Sequence, residues 1–153
     1  MNHFCCYCGV TEDIQFHHVI PISFSNKKRV RRELHLRQNT VGCCGQCNRL
    51  LTNYFPMTIP EGAEYLERRL VLKYKKVLDS PLWSDEELEK MGEKMMRRIV
   101  HQMSLRLALI ERLRHLGVMA RLNVSITDYW DAVDEGKTSM IIPADPNDQK
   151  KET

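Results

Sequence analysis

Long apolar runs are missing from this 153-residue chain, and no stretch approaches the ~20 residues that a membrane-spanning helix needs. The opening Met1-Asn2-His3-Phe4-Cys5 has no apolar segment of the kind a secretory leader carries. The expectation is a soluble, cytoplasmic protein with no membrane partner. Glycine and proline are scarce, 7 and 6 residues, which suits one compact domain or one small domain with a helical extension. No segment repeats another. Aromatic residues make up 7% of the chain and form no aromatic-rich strand, so any nucleic acid is expected to be gripped by its backbone, DNA and RNA alike. Net charge is also small, +3, but it is unevenly placed. Residues 1–55 hold Lys27, Lys28, Arg29, Arg31, Arg32, Arg37 and Arg49 against Glu12, Asp13 and Glu33, so the first third carries +4 and the remainder −1. A local basic surplus of this kind fits a polyanionic partner, because phosphate neutralisation is the sequence-independent part of nucleic-acid affinity. A solvated basic loop reads the same way.

What the chain does have is cysteine in a pattern. Cys5/Cys8 and Cys44/Cys47 form two Cys-x-x-Cys pairs, each presenting two thiolates from one tight knuckle. Together they supply the four soft ligands of a closed tetrahedral zinc site, and a structural Zn2+ is the expected occupant. Disulfides are the alternative and would need an oxidising compartment. Cys6 and Cys43 sit beside these ligands at the wrong spacing and are expected to be packed, reduced thiols.

The organisation follows from local signals. Ile14 to Ile20 mixes alternation with β-branched and aromatic residues and is closed by Pro21, as in a short strand followed by a turn. Residues 23–38 are polar and basic and predict an extended loop with one helical turn, anchored by Leu34 and Leu36. Asn39 to Cys43 predicts the return strand, and Gly45 to Phe55 a helix presenting Cys47 and Asn48 on its first turn. Pro56 and Pro60 mark a boundary. A helix beginning near Glu61 and stopping at Asp79 comes next, and the capping box Ser84-Asp85-Glu86-Glu87 opens a long helix to Leu116, with Gly117 as its terminator. Its stripe is Leu88, Met91, Met95, Ile99, Met103, Leu107 and Ile110. At ~1.5 Å per residue it would run roughly 50 Å, which implies a partner, either the preceding helix or a second copy of the chain. A short helix from Thr127 to Glu135 is expected to dock Trp130 and Val133 on the long one, and the tail to dock at Met140 to Ile142. The expected fold class is α+β, divided as residues 1–56, a helical extension over 57–136, and a tail over 137–153.

Between the knuckles lie His17-His18 and Asn39, and Asn48 follows the second knuckle. Adjacent strand residues point to opposite faces, so the two histidines are suited to two roles, one binding a metal and one acting as a base. A neutral imidazole with an ordinary pKa near ~6.5 is a usable base at physiological pH when its other nitrogen is held. Asn39 offers an amide oxygen for that purpose, or else pins the loop. His3, His35, His101 and His115 lack such a frame. His101 and His115 are assigned to the surface or an interface of the long helix, and His35 is the one to test for a phosphate contact.

Phe16-His17-His18-Val19-Ile20-Pro21, followed by Asn39 to Asn48 with its Cys-x-x-Cys-Asn ending, resembles the HNH endonuclease signature of the ββα-metal fold in its zinc-clipped form. The likeness covers about residues 5–55. It implies a metal-dependent endonuclease acting on DNA phosphodiester bonds, with His17 as the first metal ligand, His18 as the general base, Asn39 as the residue that orients it, and Asn48 in place of the last histidine. An amide oxygen at that place favours Mg2+ or Mn2+ over softer ions. Lys27, Lys28, Arg29, Arg31, Arg32 and Arg49 are the expected phosphate contacts. Mobile-element, restriction and phage-packaging nucleases share this core, and in layout the chain is similar to phage Holliday-junction-resolving endonuclease VII. The competing expectation is a non-catalytic zinc module that binds nucleic acid or assembles through the long helix.

Overall fold

A computed structural model of the protein describes residues 3–24 and 26–140, without the side chains of Phe24, Glu33 and Leu34. It is an α+β chain with one small antiparallel sheet and mostly helix. Strand β1 (Ile14–His18) pairs with β2 (Thr40–Cys44) in a register that sets Phe16 opposite Gly42, His17 opposite Val41 and His18 opposite Thr40. The connection between them is more helical than the polar composition suggested: α1 (Lys28–Leu34) lies between two 3-10 turns, Ile22–Phe24 and Arg37–Asn39. Leu36, expected as an anchor, is exposed, and the Leu34 side chain lies outside the described residues. Helix α2 (Gly45–Leu51) starts directly at the end of β2 and stops short of Phe55.

Thr58 caps α3 (Ile59–Lys73) by accepting from the Glu61 amide, and Pro60 falls in the first turn, where its missing N–H costs nothing. The chain breaks at Tyr74 and continues as α4 (Lys75–Leu78). The Ser84 capping box forms, but it opens only a five-residue helix, α5 (Asp85–Glu89). Gly92 interrupts the pattern and serves as the extended N-cap of α6 (Glu93–Arg121), 29 residues or about 43 Å long. Gly117 does not terminate α6. It is buried in the body of the helix, where a Cβ would stand 3.1 Å from Glu67 Oε1, so its missing side chain serves close packing against α3.

The break before Gly92 also resets the helical phase. Ile99 and Met103 are half-buried, whereas Met95, Leu107 and Ile110 are exposed, and the buried line of α6 runs instead through Leu109, Leu116 and Met119. Those residues face α3, whose Ile59, Ala63, Leu66 and Leu70 are buried, so the long helix has an intramolecular partner along its second half. Burial of each such leucine contributes about 1.5–3 kcal/mol. Among the described residues, positions 93–108 include none that is fully buried.

Helix α7 (Ile126–Asp134) carries its own capping box, Ser125 with Asp128. It docks on the sheet and the turn before it: the Trp130 indole donates to the carbonyls of Arg37 and Thr40, and the Tyr129 hydroxyl donates to the Phe4 carbonyl. Val133 is buried in the core. A single hydrophobic cluster, from Phe4 and Tyr7 through Val41, Leu66 and Leu116 to Met140, includes residues from both sides of Pro56. Met140 docks as expected, while Ile141, Ile142 and the tail beyond lie outside the described residues. No helix among the described residues is long and apolar enough to cross a membrane.

The contact between β2 and α7 is tight enough to test. A Cβ on Gly42 would fall 2.2 Å from the Tyr129 hydroxyl and 2.7 Å from the Phe4 carbonyl oxygen, and the second of these is backbone. Gly42→Ala is expected to lower stability by about 1–3 kcal/mol in urea denaturation. An unchanged midpoint would mean that α7 does not lie on this strand.

Candidate metal centre and histidine site

The first knuckle is shaped by its own backbone. Cys5 donates to the Val10 carbonyl, Gly9 donates to the Cys5 carbonyl, and Gly9 takes a φ of 76°, a left-handed conformation that suits glycine. The second knuckle is the junction of β2 and α2, where the Cys44 sulfur caps the helix by accepting from the Cys47 amide. Sheet pairing carries one knuckle to the other, and the sulfurs of Cys5, Cys8, Cys44 and Cys47 all lie within 4.8 Å of one another. The Cys8 and Cys44 sulfurs stand 3.7 Å apart, far beyond a disulfide bond of ~2.05 Å. A tetrahedron of 2.3 Å zinc–sulfur bonds has edges of about 3.8 Å. All six cysteines are free and buried, including Cys6 and Cys43, so the four can hold a structural metal such as zinc.

The protons in this cluster are unequally held. Burial raises Cys5, but hydrogen bonds with Cys43, Cys44, Cys47 and Cys8 outweigh it and draw that thiol well below its ordinary value. The bond with Cys47 brings Cys44 down to about 7. Cys8 and Cys47 are pushed up, chiefly by their hydrogen bonds with Cys44 and Cys43 respectively. A metal bound here would displace those protons, because only the thiolate form of cysteine is a ligand.

One ligand-supporting residue comes from far along the sequence. Arg112 on α6 directs its Nη2 at the sulfurs of Cys8, Cys44 and Cys47, at 3.4, 3.5 and 3.7 Å. Its Nη1 donates to Gln46 Oε1, and Gln46 Nε2 donates to the Tyr74 hydroxyl at 2.6 Å. Burial disfavours the guanidinium charge, but the fields of Cys8, Cys47 and Cys44 more than offset this and hold Arg112 firmly cationic. No local sequence signal marks Arg112 among the other basic residues of the helix. His115, assigned to the surface or an interface, is buried beside the first knuckle, where a Cβ on Gly9 would fall 2.7 Å from its ring. His101 is exposed.

A second constellation lies on the sheet beside the cluster. His17 shares its strand face with Gln15, and both meet α2. His17 Nδ1 is 3.1 Å from Asn48 Oδ1, while Asn48 Nδ2 donates to Gln15 Oε1 at 3.0 Å. The Asn48 oxygen is thereby turned toward His17. A separation of 3.1 Å also matches two neighbouring corners of an octahedron, about 3.0 Å apart when metal–ligand bonds are ~2.1 Å. His17 Nε2 is buried and has no hydrogen-bond partner, and the ring packs edge-on to Tyr7. Burial lowers the His17 pKa and outweighs its bond with Asn48, which keeps the imidazole neutral, as metal ligation requires.

His18 leaves on the opposite face, as strand alternation predicted. Its Nε2 is 3.2 Å from His35 Nδ1. Burial, and secondarily the proximity of His35, lowers its pKa, so it too is neutral near pH 7. Asn39 takes the loop-pinning alternative: its Oδ1 accepts from the Ile20 amide and its Nδ2 donates to the Ile20 carbonyl, both at 2.8 Å. His35, flagged for a phosphate contact, is the side chain found against His18. Lys27, Lys28, Arg29, Arg31 and Arg32 are exposed on and just before α1, and Arg49 is exposed one residue after Asn48. Compared with models of protein families, with curated proteins and with solved structures, the chain matches none.

Because Arg112 brings a positive charge onto three of the sulfurs, Arg112→Ala is expected to retain one zinc per chain but to bind it about 10- to 100-fold more weakly. Competition against a chromogenic chelator measures this. Equal affinity in the variant would show that the guanidinium contact does not act on the metal.

Proposed function

We propose that the chain is a metal-dependent HNH-type endonuclease that hydrolyses DNA phosphodiester bonds, built on a zinc-clipped ββα-metal core. The observation that carries this reading is the approach of His17 and Asn48, 31 positions apart, to 3.1 Å beside the adjacent histidine. Neutral nitrogen and amide oxygen form a donor pair suited to a hydrated Mg2+ or Mn2+. Such an ion, held by His17 and Asn48, would supply charge stabilisation for the departing 3′-oxygen.

The other tasks fall to this chain's own residues. A phosphate laid across the end of β1, where His18 is the last strand residue, would meet both histidine rings, and there His18 takes a proton from water as that oxygen bonds to phosphorus and the phosphorus–O3′ bond breaks. Asn39 fixes the exit of β1 through the backbone of Ile20, which sets where the His18 ring stands. Lys27, Lys28, Arg29, Arg31 and Arg32 provide exposed cations for the phosphate backbone, and Arg49 provides one next to Asn48. The four-cysteine clip holds β1, β2 and α2 in mutual register but takes no part in the chemistry.

A second reading is favoured by Asn48 itself, since an amide where the HNH pattern has imidazole weakens metal binding. In that case the chain is a non-catalytic zinc module that binds nucleic acid, and it would give salt-sensitive binding without strand scission. Comparing supercoiled plasmid, linear duplex, single strands and a four-way junction in Mg2+ and Mn2+ separates the two. Nicking of at least one DNA form is expected, and His18→Ala should lower the rate by about 10²–10⁴ while leaving zinc content and circular dichroism unchanged. Full activity in His18→Ala would remove the assigned base.

A further inference from the structure

His18 has its partner on a short strap. His35 stands between the end of α1 and the 3-10 turn Arg37–Asn39, and the strap is fastened at both ends: the His35 amide donates to the Arg32 carbonyl, and the Asn39 carbonyl accepts from the Val19 amide at 2.9 Å. Within it, Arg37 Nη2 donates to both carboxylate oxygens of Asp134, and the guanidinium lies over the Trp130 ring. The His18 and His35 rings meet nearly at right angles, 85°, with Nε2 of the first 3.2 Å from Nδ1 of the second. Two ring nitrogens can share that contact only if one of them carries a proton and the other offers its lone pair.

We propose that His35 is the positioning residue for His18, accepting the His18 Nε2–H on its own Nδ1 and so fixing the tautomer that leaves His18 Nδ1 bare. The reverse arrangement, with His35 as donor, would occupy the single lone pair of His18 and leave it no nitrogen to receive a proton. The orienting task that the sequence pattern gives to Asn39 thus passes to His35, the side chain that stands at hydrogen-bond distance from His18, while the Asn39 amide holds Ile20. Combined with the proposed nuclease reading, on which this step rests, water gives one proton to His18 Nδ1 and its oxygen bonds to phosphorus. The phosphorus–O3′ bond breaks, and the leaving oxygen is protonated by solvent. The His18 imidazolium keeps its Nε2–H on His35, whose lone pair stabilises the charge, until the extra proton returns to solvent.

Long-range proton–nitrogen correlation spectra of the zinc-loaded full chain read the ring nitrogens directly. Near pH 7.5 the native protein should show His18 as the Nε2–H tautomer, and His35→Ala should give a tautomer mixture at His18. On any DNA form that the native protein nicks, His35→Ala should lower kcat about 10- to 100-fold with little change in KM, and His35→Asn, which retains an acceptor, should recover part of the loss. A native His18 in the Nδ1–H form, or a His18 spectrum unaltered by His35→Ala, overturns the proposal. So does undiminished nicking by His35→Ala. If no DNA form is nicked by the native chain while the tautomer responds as expected, the nuclease reading fails and the imidazole pair stands.

Discussion

Everything in the site depends on four sulfurs drawn from two places in the chain. Cys44 and Cys47 flank the start of α2, and Asn48 is the residue after the second of them, so the cluster fixes the helix turn that carries the asparagine. Cys5 and Cys8 bring the N-terminal knuckle onto the same point, while β1 is tied to β2 by the sheet register. His17 and Asn48 meet because the sheet and the clip each remove one degree of freedom between strand and helix. Electrostatics completes the arrangement. A divalent zinc held by four thiolates would leave a net charge of roughly −2 in a buried place, which is costly unless a cation is near. Arg112 provides it, and in doing so fastens α6 to the metal centre as well as to α3.

The sheet then divides the labour of its two faces. Gln15 and His17 face α2, where the Asn48 amide is oriented by its bond to Gln15. Phe16 and His18 face the other way, toward the side where α7 supplies Trp130 and the strap supplies His35. Period-two alternation makes this separation unavoidable for neighbouring residues. The two histidines can therefore differ in partner and in tautomer although nothing but one peptide bond lies between them.

What could be read in the sequence was whatever local chemistry decides. The Cys-x-x-Cys spacing, the strand closed by Pro21, the Ser84 capping box and the alternation at His17-His18 each depend on a few adjacent residues, and each has its counterpart in the structure. Contacts across the chain were not legible in the same way. Arg112 lies 104 positions from Cys8, and its neighbours Arg106 and Arg114 carry the same charge. Gly117 satisfied the rule for a helix terminator, yet packing against Glu67 overrode it. The long stripe was counted from Leu88 without a break, and the single interruption before Gly92 rotated its later members outward. Trp130 was expected to dock on the long helix, and the carbonyl partners of its indole N–H at Arg37 and Thr40 were not foreseen. Asn39 was legible as a site residue but not in its role, since an amide is equally able to hold a ring or a backbone.

On the proposed reading, the ligand set has a consequence for when the site becomes competent. His17 and Asn48 are both neutral, so they offer geometry without the charge that a carboxylate would bring to a hard divalent ion. With only two such donors, most of the ion's coordination shell must come from water and from phosphate oxygens. The exposed cations on α1 and Arg49 repel a free metal ion and attract a phosphate backbone, which biases the order of events toward nucleic acid first. A bound phosphate supplies the missing negative charge, and the ion is then held by substrate and protein together. On that reading the zinc clip and the catalytic ion would differ in kind: four thiolates would bind the first as part of folding, whereas the second would be retained only while there is a bond to cut.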